Sequence, residues 1–235
     1  MEIELNMVMM MMMMMMMIFV EGNRDTNEVY DPCMDSKIQR SEGFSFGIAL
    51  SSNESFFSNG TQLSPCDNRL PIYHGKAAVF AVFRPMVDEI SLLNVSSSDL
   101  DPAAMGGYMV AFAGKKYAAR SQPIFVADDT HIVTSFALVL EFDRGTLVNL
   151  HWKKFGCREC GGDQSFVCLN NQDCAVQRSK CIKQGGSLEC HLSIQLTFSG
   201  TDKNLNTLNS WYELNNLRHN SLLRLFNSLT NSLLN

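Results

Sequence analysis

Leu192-Ser193-Ile194-Gln195-Leu196-Thr197-Phe198-Ser199 carries an apolar side chain at every second position. A strand turns successive side chains to opposite faces, so this octet reads as a half-buried strand with one face toward a core. The same period recurs upstream. Phe44, Phe46, Ile48 and Leu50 alternate with Ser45, Gly47 and Ala49, and Phe136, Leu138, Leu140 and Phe142 form another such run. Further strands are expected over 77–84, 89–95, 108–113, 117–126 and 147–153. Arg84-Pro85, Asp101-Pro102, Gly106-Gly107 and Asp143-Arg144-Gly145 punctuate these runs. The last of them should close a hairpin between Glu141 and Leu150. About eight short strands at this spacing predict a mainly β fold, an antiparallel sandwich or barrel-like domain.

Two stretches depart from the two-residue period. Residues 157–190 crowd six cysteines into 34 positions, with Gly161-Gly162 and Gly185-Gly186 near the ends. They read as a disulfide-stapled loop inserted between two strands. Beyond residue 200 the period changes. Trp211, Leu214, Leu217, Leu222, Leu225, Phe226, Leu229 and Leu233 suit an amphipathic helix within a C-terminal segment 201–235. Asn209 or Ser210 can cap it. A membrane-surface helix wants several cations on its polar face. Arg218, His219 and Arg224 are few among Asn and Ser, so packing on the β-domain is expected.

The opposite end reads as an address. Met7 to Val20 is an uncharged run of fourteen residues, nearly all Met, as in the apolar part of a secretory signal. Val20 and Gly22 are small enough for a cleavage site, so 1–22 is expected as signal peptide and 23–200 as the secreted β-domain. Glu2 and Glu4 replace the usual positive flank, and initiation at Met7 or a later Met would remove both. A Met tract without a targeting role is the alternative. No second apolar run long enough to span a bilayer follows, so the mature chain is expected to lack a transmembrane segment.

The eight cysteines agree with secretion. Cys33 and Cys66 lie early, and Cys157, Cys160, Cys168, Cys174, Cys181 and Cys190 follow after 90 residues without one. An even number in a secreted chain reads as four disulfides. The simplest split joins Cys33 to Cys66, a closure that stabilises by about 3–4 kcal/mol on the chain-entropy model. The other three bridges stay open among fifteen possible pairings. Cys157-Arg158-Glu159-Cys160 has the spacing of a zinc knuckle or a redox pair. No second close pair completes a zinc set, and Gly161-Gly162 favours a loop over the helix a redox motif opens. Asn53, Asn59 and Asn94 head three glycosylation triplets.

Charge excludes one class of partner. The chain carries 19 Lys and Arg against 24 Asp and Glu, a net −5, and the balance beyond residue 22 is −2. Without basic clustering, nucleic acid is not an expected partner. Candidates for catalysis are weak. Gly43-Phe44-Ser45-Phe46-Gly47 matches the spacing of a nucleophile elbow, but the alternation continues through it as one strand. Glu141 and Asp143 would share a strand face, as a glycosidase pair does, and Asp129 and His131 can meet on another. Asp88-Glu89, Asp99 with Asp101, and Asp128-Asp129 are further carboxylate pairs, which at strand ends and turns are ordinarily solvated. No cofactor fingerprint and no metal-ligand spacing of histidines is present. Tyr108 and Trp152 are aromatics beside polar groups, a pairing that stacks on sugar rings or packs in a core.

Several longer stretches carry a resemblance. They are Asp31-Pro32-Cys33 with Gln39-Arg40-Ser41, residues 43–50, Gln62-Leu63-Ser64-Pro65-Cys66-Asp67, residues 83–93 and 106–120, the cysteine cluster, and residues 198–212. Over about residues 30–235 the chain resembles a family of small secreted plant proteins, the "Expp" protein precursors. The resemblance implies a plant origin, a signal peptide and an address in the apoplast or cell wall, and it implies no activity. The sandwich pattern, the disulfides and the lack of a convincing catalytic set lead to the expectation of a non-catalytic extracellular module for cell-wall polysaccharide, with Tyr108 and Trp152 as candidates for ligand stacking. An extracellular hydrolase, or an interaction or inhibitor protein acting through the stapled loop, are the alternatives.

Overall fold

The computed structural model describes residues 25–74, 78–95, 100–160 and 166–219. The expected signal segment with its cleavage point, and the apolar positions from Leu222 to Leu233, lie outside the described residues.

The described residues form strands β1 (Phe46–Ser52), β2 (Phe57–Ser58), β3 (Thr61–Gln62), β4 (Val79–Phe83), β5 (Ser91–Val95), β6 (Gly107–Ala113), β7 (Ala119–Arg120) and β8 (Ile124–Phe125). They continue with β9 (His131–Val133), β10 (Ser135–Asp143), β11 (Thr146–Lys153), β12 (Phe166–Leu169), β13 (Asp173–Gln177), β14 (Leu192–Thr201) and β15 (Thr207–Leu208). One sheet runs β4-β1-β6-β7, with β8 also on β6. A second runs β11-β10-β14-β15, with β5 also on β14. The two pack face to face as a mainly antiparallel sandwich, and among the described residues neither closes into a barrel.

The alternating runs line the space between the sheets. Phe46, Ile48 and Leu50 of β1 meet Leu138, Leu140 and Phe142 of β10 and Ile194, Leu196 and Phe198 of β14, all buried. Phe44 packs edge-on against Phe142 at 5.1 Å between ring centroids. Each such side chain, taken fully from water, stabilises by about 1.5–3 kcal/mol.

β1 is buried on its other face too. Ala49, Val110 and Phe112 join Phe56, Leu70 and Ile72 in a second, smaller core, and Cys66 lies within it. The Cys33–Cys66 bridge ties down the segment that covers this face. The small residues that looked polar by alternation are small because of this cover. A Cβ at Gly47 would stand 2.2 Å from the Phe112 ring.

The β10–β11 hairpin closes as expected at Arg144-Gly145, whose φ angles of 48° and 76° are the left-handed pair a two-residue hairpin demands. Four expectations need correction. The strand expected over 117–126 is two short strands, because Pro123 lacks the N–H a continuous ladder uses. The cysteine cluster is not merely a loop. β12 pairs with β13, and β13 pairs with β9 of the main chain path, making a three-stranded sheet. β10 and β14 pair in parallel, which a hairpin cannot do and a long intervening crossover permits.

The fourth correction concerns the helix, Ser210–His219. Leu214 is buried and Trp211 stacks on Phe155, but Leu217 is 63% exposed. The Ser210 hydroxyl, expected as a local cap, does other work, accepting from the Phe198 N–H at 2.8 Å. The helix start is held instead by Asp88, whose Oδ1 accepts from the N–H groups of Asn209 and Ser210 at 2.5 and 2.8 Å. The helix packs on β14, and the Arg218 guanidinium donates to Gln195 at 2.6 Å and lies over the Phe155 ring.

Candidate functional site

All eight cysteines are bridged: Cys33–Cys66, Cys157–Cys168, Cys160–Cys174 and Cys181–Cys190. Cys157 and Cys160 each reach away from the other, so the two-residue spacing is neither a redox pair nor a zinc knuckle. Among the described residues no group of three or more His, Cys, Asp or Glu side chains is placed to hold a metal ion. Disulfides of this density mark an extracellular or otherwise oxidising environment. Among the described residues no helix is long and apolar enough to cross a membrane.

The cysteine-rich insertion meets the sandwich at a cleft of about 250 Å³. Val95 ends β5 and Leu192 begins β14, and together they supply the sandwich wall. Ile132 of β9 supplies the floor where the two parts share a strand. The Cys181–Cys190 bridge and Ile182 form the opposite wall, Leu100 and Pro102 add apolar surface, and Asp101, Arg178, Lys183, Gln184, Glu189 and His191 supply the polar part of the lining. Ile132 is 5% exposed and Ile182 is 55% exposed, so the cleft runs from a buried end to an open mouth.

The insertion wall is held locally. Ile182 N–H donates to the Leu188 carbonyl and Leu188 N–H to the Lys180 carbonyl, both at 2.9 Å. The 3-10 turn Ile182–Gln184 ends at Gly185 in the left-handed region, φ 86°. Gly186 has no room for a side chain, since a Cβ there would lie 2.1 Å from the Lys180 backbone. A nine-residue separation closed by a disulfide and these bonds leaves the wall little freedom.

Charged groups around the cleft face one another. Arg178 donates to Asp101 Oδ2 at 2.6 Å and to the Asp128 carbonyl at 3.2 Å. Lys183 Nζ donates to the Leu100 carbonyl at 3.0 Å, and His191 lies 3.7 Å from Glu189. The Arg178 and Lys183 contacts latch the insertion to residues 100–128, whereas the His191–Glu189 contact is local. Asp128 itself accepts from the Thr130 hydroxyl, the strongest influence lowering its carboxyl below the ordinary aspartate range; its burial works the other way, and the Thr130 and His131 N–H groups add to the lowering.

The residues singled out from sequence fall elsewhere. Ser45 is buried on extended chain, its hydroxyl donating to the Val29 carbonyl at 2.9 Å and accepting from Arg84 at 2.9 Å. Glu141 accepts from Asn149 at 3.5 Å, and Asp143 lies 3.5 Å from Arg144 at the hairpin turn. His151 continues that row through Asn149 at 3.4 Å; burial pushes its imidazole below the usual value, Lys153 adds to this and Glu141 opposes it. Asp128 rather than Asp129 bonds the backbone of His131. Asn53 opens a 3-10 turn, Asn59 sits exposed at the β2–β3 hairpin tip, and Asn94 accepts from Ser193 Oγ at 3.0 Å.

Tyr108 and Trp152 are not brought together. Trp152 packs edge-on to Phe136 against the main core, with its indole nitrogen buried and unbonded. Tyr108 packs on the second core and meets Phe125 at 6.0 Å. The cleft residues escaped sequence reading, apart from the cysteines and Asp101. Val95, Ile132, Ile182 and Leu192 belong to four separate runs, and no spacing along the chain links them.

No curated protein and no solved structure matches the chain. A family model does, in two overlapping segments, residues 1–132 and 120–232. That match overturns the expected membership of the plant Expp family. Within those stretches Asp31 accepts from the Cys33 N–H and Asp67 from the Arg69 N–H, the local bonds Asp makes in turns. With segments that together span nearly its whole length, the chain belongs to the family described as Uncharacterised protein DDB_G0273449.

Proposed function

We propose that this is a non-catalytic extracellular binding protein whose site is the cleft between the sandwich and the Cys181–Cys190 wall. The observation that carries the reading is a concave, mainly apolar cleft with rigid walls, the usual character of a small-molecule site. Non-catalytic action is supported by how the cleft's cations are engaged, Arg178 with the Asp101 carboxylate and Lys183 with the Leu100 carbonyl. Trp152 packs on the main core and Tyr108 on the second, which lends the polysaccharide version of this reading less support than the cleft. Asn59, exposed at its hairpin tip, is the sequon best placed for a glycan.

Native mass spectrometry of the oxidised protein, purified from a secreting host without denaturation, tests the reading. A saturable bound compound, recovered chemically unchanged and lost in Ile132→Trp, is the expected result. A compound released in altered form would overturn the non-catalytic part. Retention of the compound in a folded Ile132→Trp variant would move the site away from the cleft.

A further inference from the structure

The ligand class follows from the size of the cleft and from how its charges are spent, an inference that rests on the cleft being the site. A dry apolar cavity of roughly 150 Å³ accommodates benzene, so a cleft of about 250 Å³ has room for about ten heavy atoms. Val95, Leu100, Pro102, Ile132, Ile182 and Leu192 offer it no hydrogen-bonding side chain. Asp101, Arg178, Lys183, Gln184, Glu189 and His191 also line the cleft, and its ionic groups are already engaged: Arg178 with Asp101, Lys183 with a carbonyl, His191 beside Glu189. An anion would have to draw Arg178 from Asp101 or Lys183 from the Leu100 carbonyl, and a cation would have to draw Asp101 from Arg178 or Glu189 from His191. Breaking a partly buried pair leaves an uncompensated charge, a cost that a single new contact does not recover. From the pairing of these charges around an apolar cleft, we infer that the cleft takes an uncharged, apolar small molecule of about ten heavy atoms. It enters at the Ile182 mouth and ends against Ile132.

Three probes of one size and differing head charge decide this: 1-octanol, octanoate and octylammonium, titrated into the full-length oxidised protein. Methyl NMR signals of Ile132, Ile182 and Leu192 report the site, and calorimetry the affinity. Octanol is expected to shift those signals and to bind at least tenfold more tightly than either ion. Ile182→Asp places a charge at an exposed position that tolerates it, and should weaken octanol at least tenfold while leaving the remaining spectrum folded. Octanoate or octylammonium binding as tightly as octanol at the same signals would overturn the neutral ligand class and leave the cleft reading standing. No shift at these signals with any probe overturns this ligand class, and the cleft reading is then judged by the mass-spectrometric experiment alone. Octanol binding equally to Ile182→Asp would overturn the proposed site of entry and the inference with it.

Discussion

The sandwich and the cysteine-rich insertion both contain short strands, but they are held by different means. In β10, Phe136, Ala137, Leu138, Val139, Leu140 and Phe142 are all buried, whereas in β12 no residue is, and in β13 only Ala175 and Val176 are. The insertion carries three of the four bridges. Where apolar area is scarce, restricting the unfolded chain substitutes for burial. The contrast also explains the cleft, which lies where a well-packed body meets a covalently held one and neither supplies enough side chains to fill the junction.

The strongest way to break this comparison is to damage each part separately. Leu138→Ala, in the sandwich core, should cost about 2–5 kcal/mol, read as a lower urea midpoint for the whole protein. A loss below about 1 kcal/mol would show that the two sheets do not share a tight core. Replacing Cys157 and Cys168 together by Ser should cost about 2–3 kcal/mol on the chain-entropy model, but locally. Amide exchange is expected to accelerate in β12 and β13 and to stay slow in β10 and β14. Uniform acceleration would mean that the two regions unfold as one unit.

Gly47→Ala probes the second core. The new methyl meets Phe112 and should cost about 1–3 kcal/mol by overpacking, measured by thermal melting. An unchanged melting temperature would mean that the covering segment lifts away freely.

The smallest expected effect concerns Asp202, which is buried where β14 turns toward β15. Burial alone would raise its pKa. Hydrogen bonds from the Arg40 N–H, the Asn206 side chain and the N–H groups of Asn206 and Asn204 outweigh this and hold it below the ordinary value of 3.8. A carboxylate with a depressed folded pKa contributes stability above its unfolded pKa, and that contribution is lost as pH falls through the folded value. Asp202→Asn should therefore cost about 1–2 kcal/mol at pH 7, because one amide donor must face the Arg40 N–H. The gap between variant and parent should narrow below pH 3.8. A gap independent of pH would assign the cost to shape rather than charge.

Much of the sandwich was legible because alternation is a local property. Phe46, Ile48 and Leu50, and Leu192, Ile194, Leu196 and Phe198, face the core as their period requires. The hairpin at Arg144-Gly145 was legible for the same reason, since its turn residues are adjacent. The second core was not. Ala49 packs with Cys66, Leu70 and Ile72, Gly47 lies against the Phe112 ring, and nothing in their own neighbourhood distinguishes a small buried residue from a small exposed one. The cap of the helix was hidden likewise, because Asp88 lies some 120 positions upstream of the N–H groups it accepts from.

Strand periods, turn positions and an even set of cysteines were readable along the chain, and the simplest split of those cysteines, Cys33 with Cys66, is the one that forms. These follow from side-chain direction, turn chemistry and counting. Only the tertiary structure decided the parallel pairing of β10 with β14, the partners within the cysteine cluster and the cleft walled by Val95, Ile132, Ile182 and Leu192. Each of these joins residues far apart in the chain. A period tells a strand which face to bury, but which strand it meets depends on how the whole chain closes its loops around a shared core.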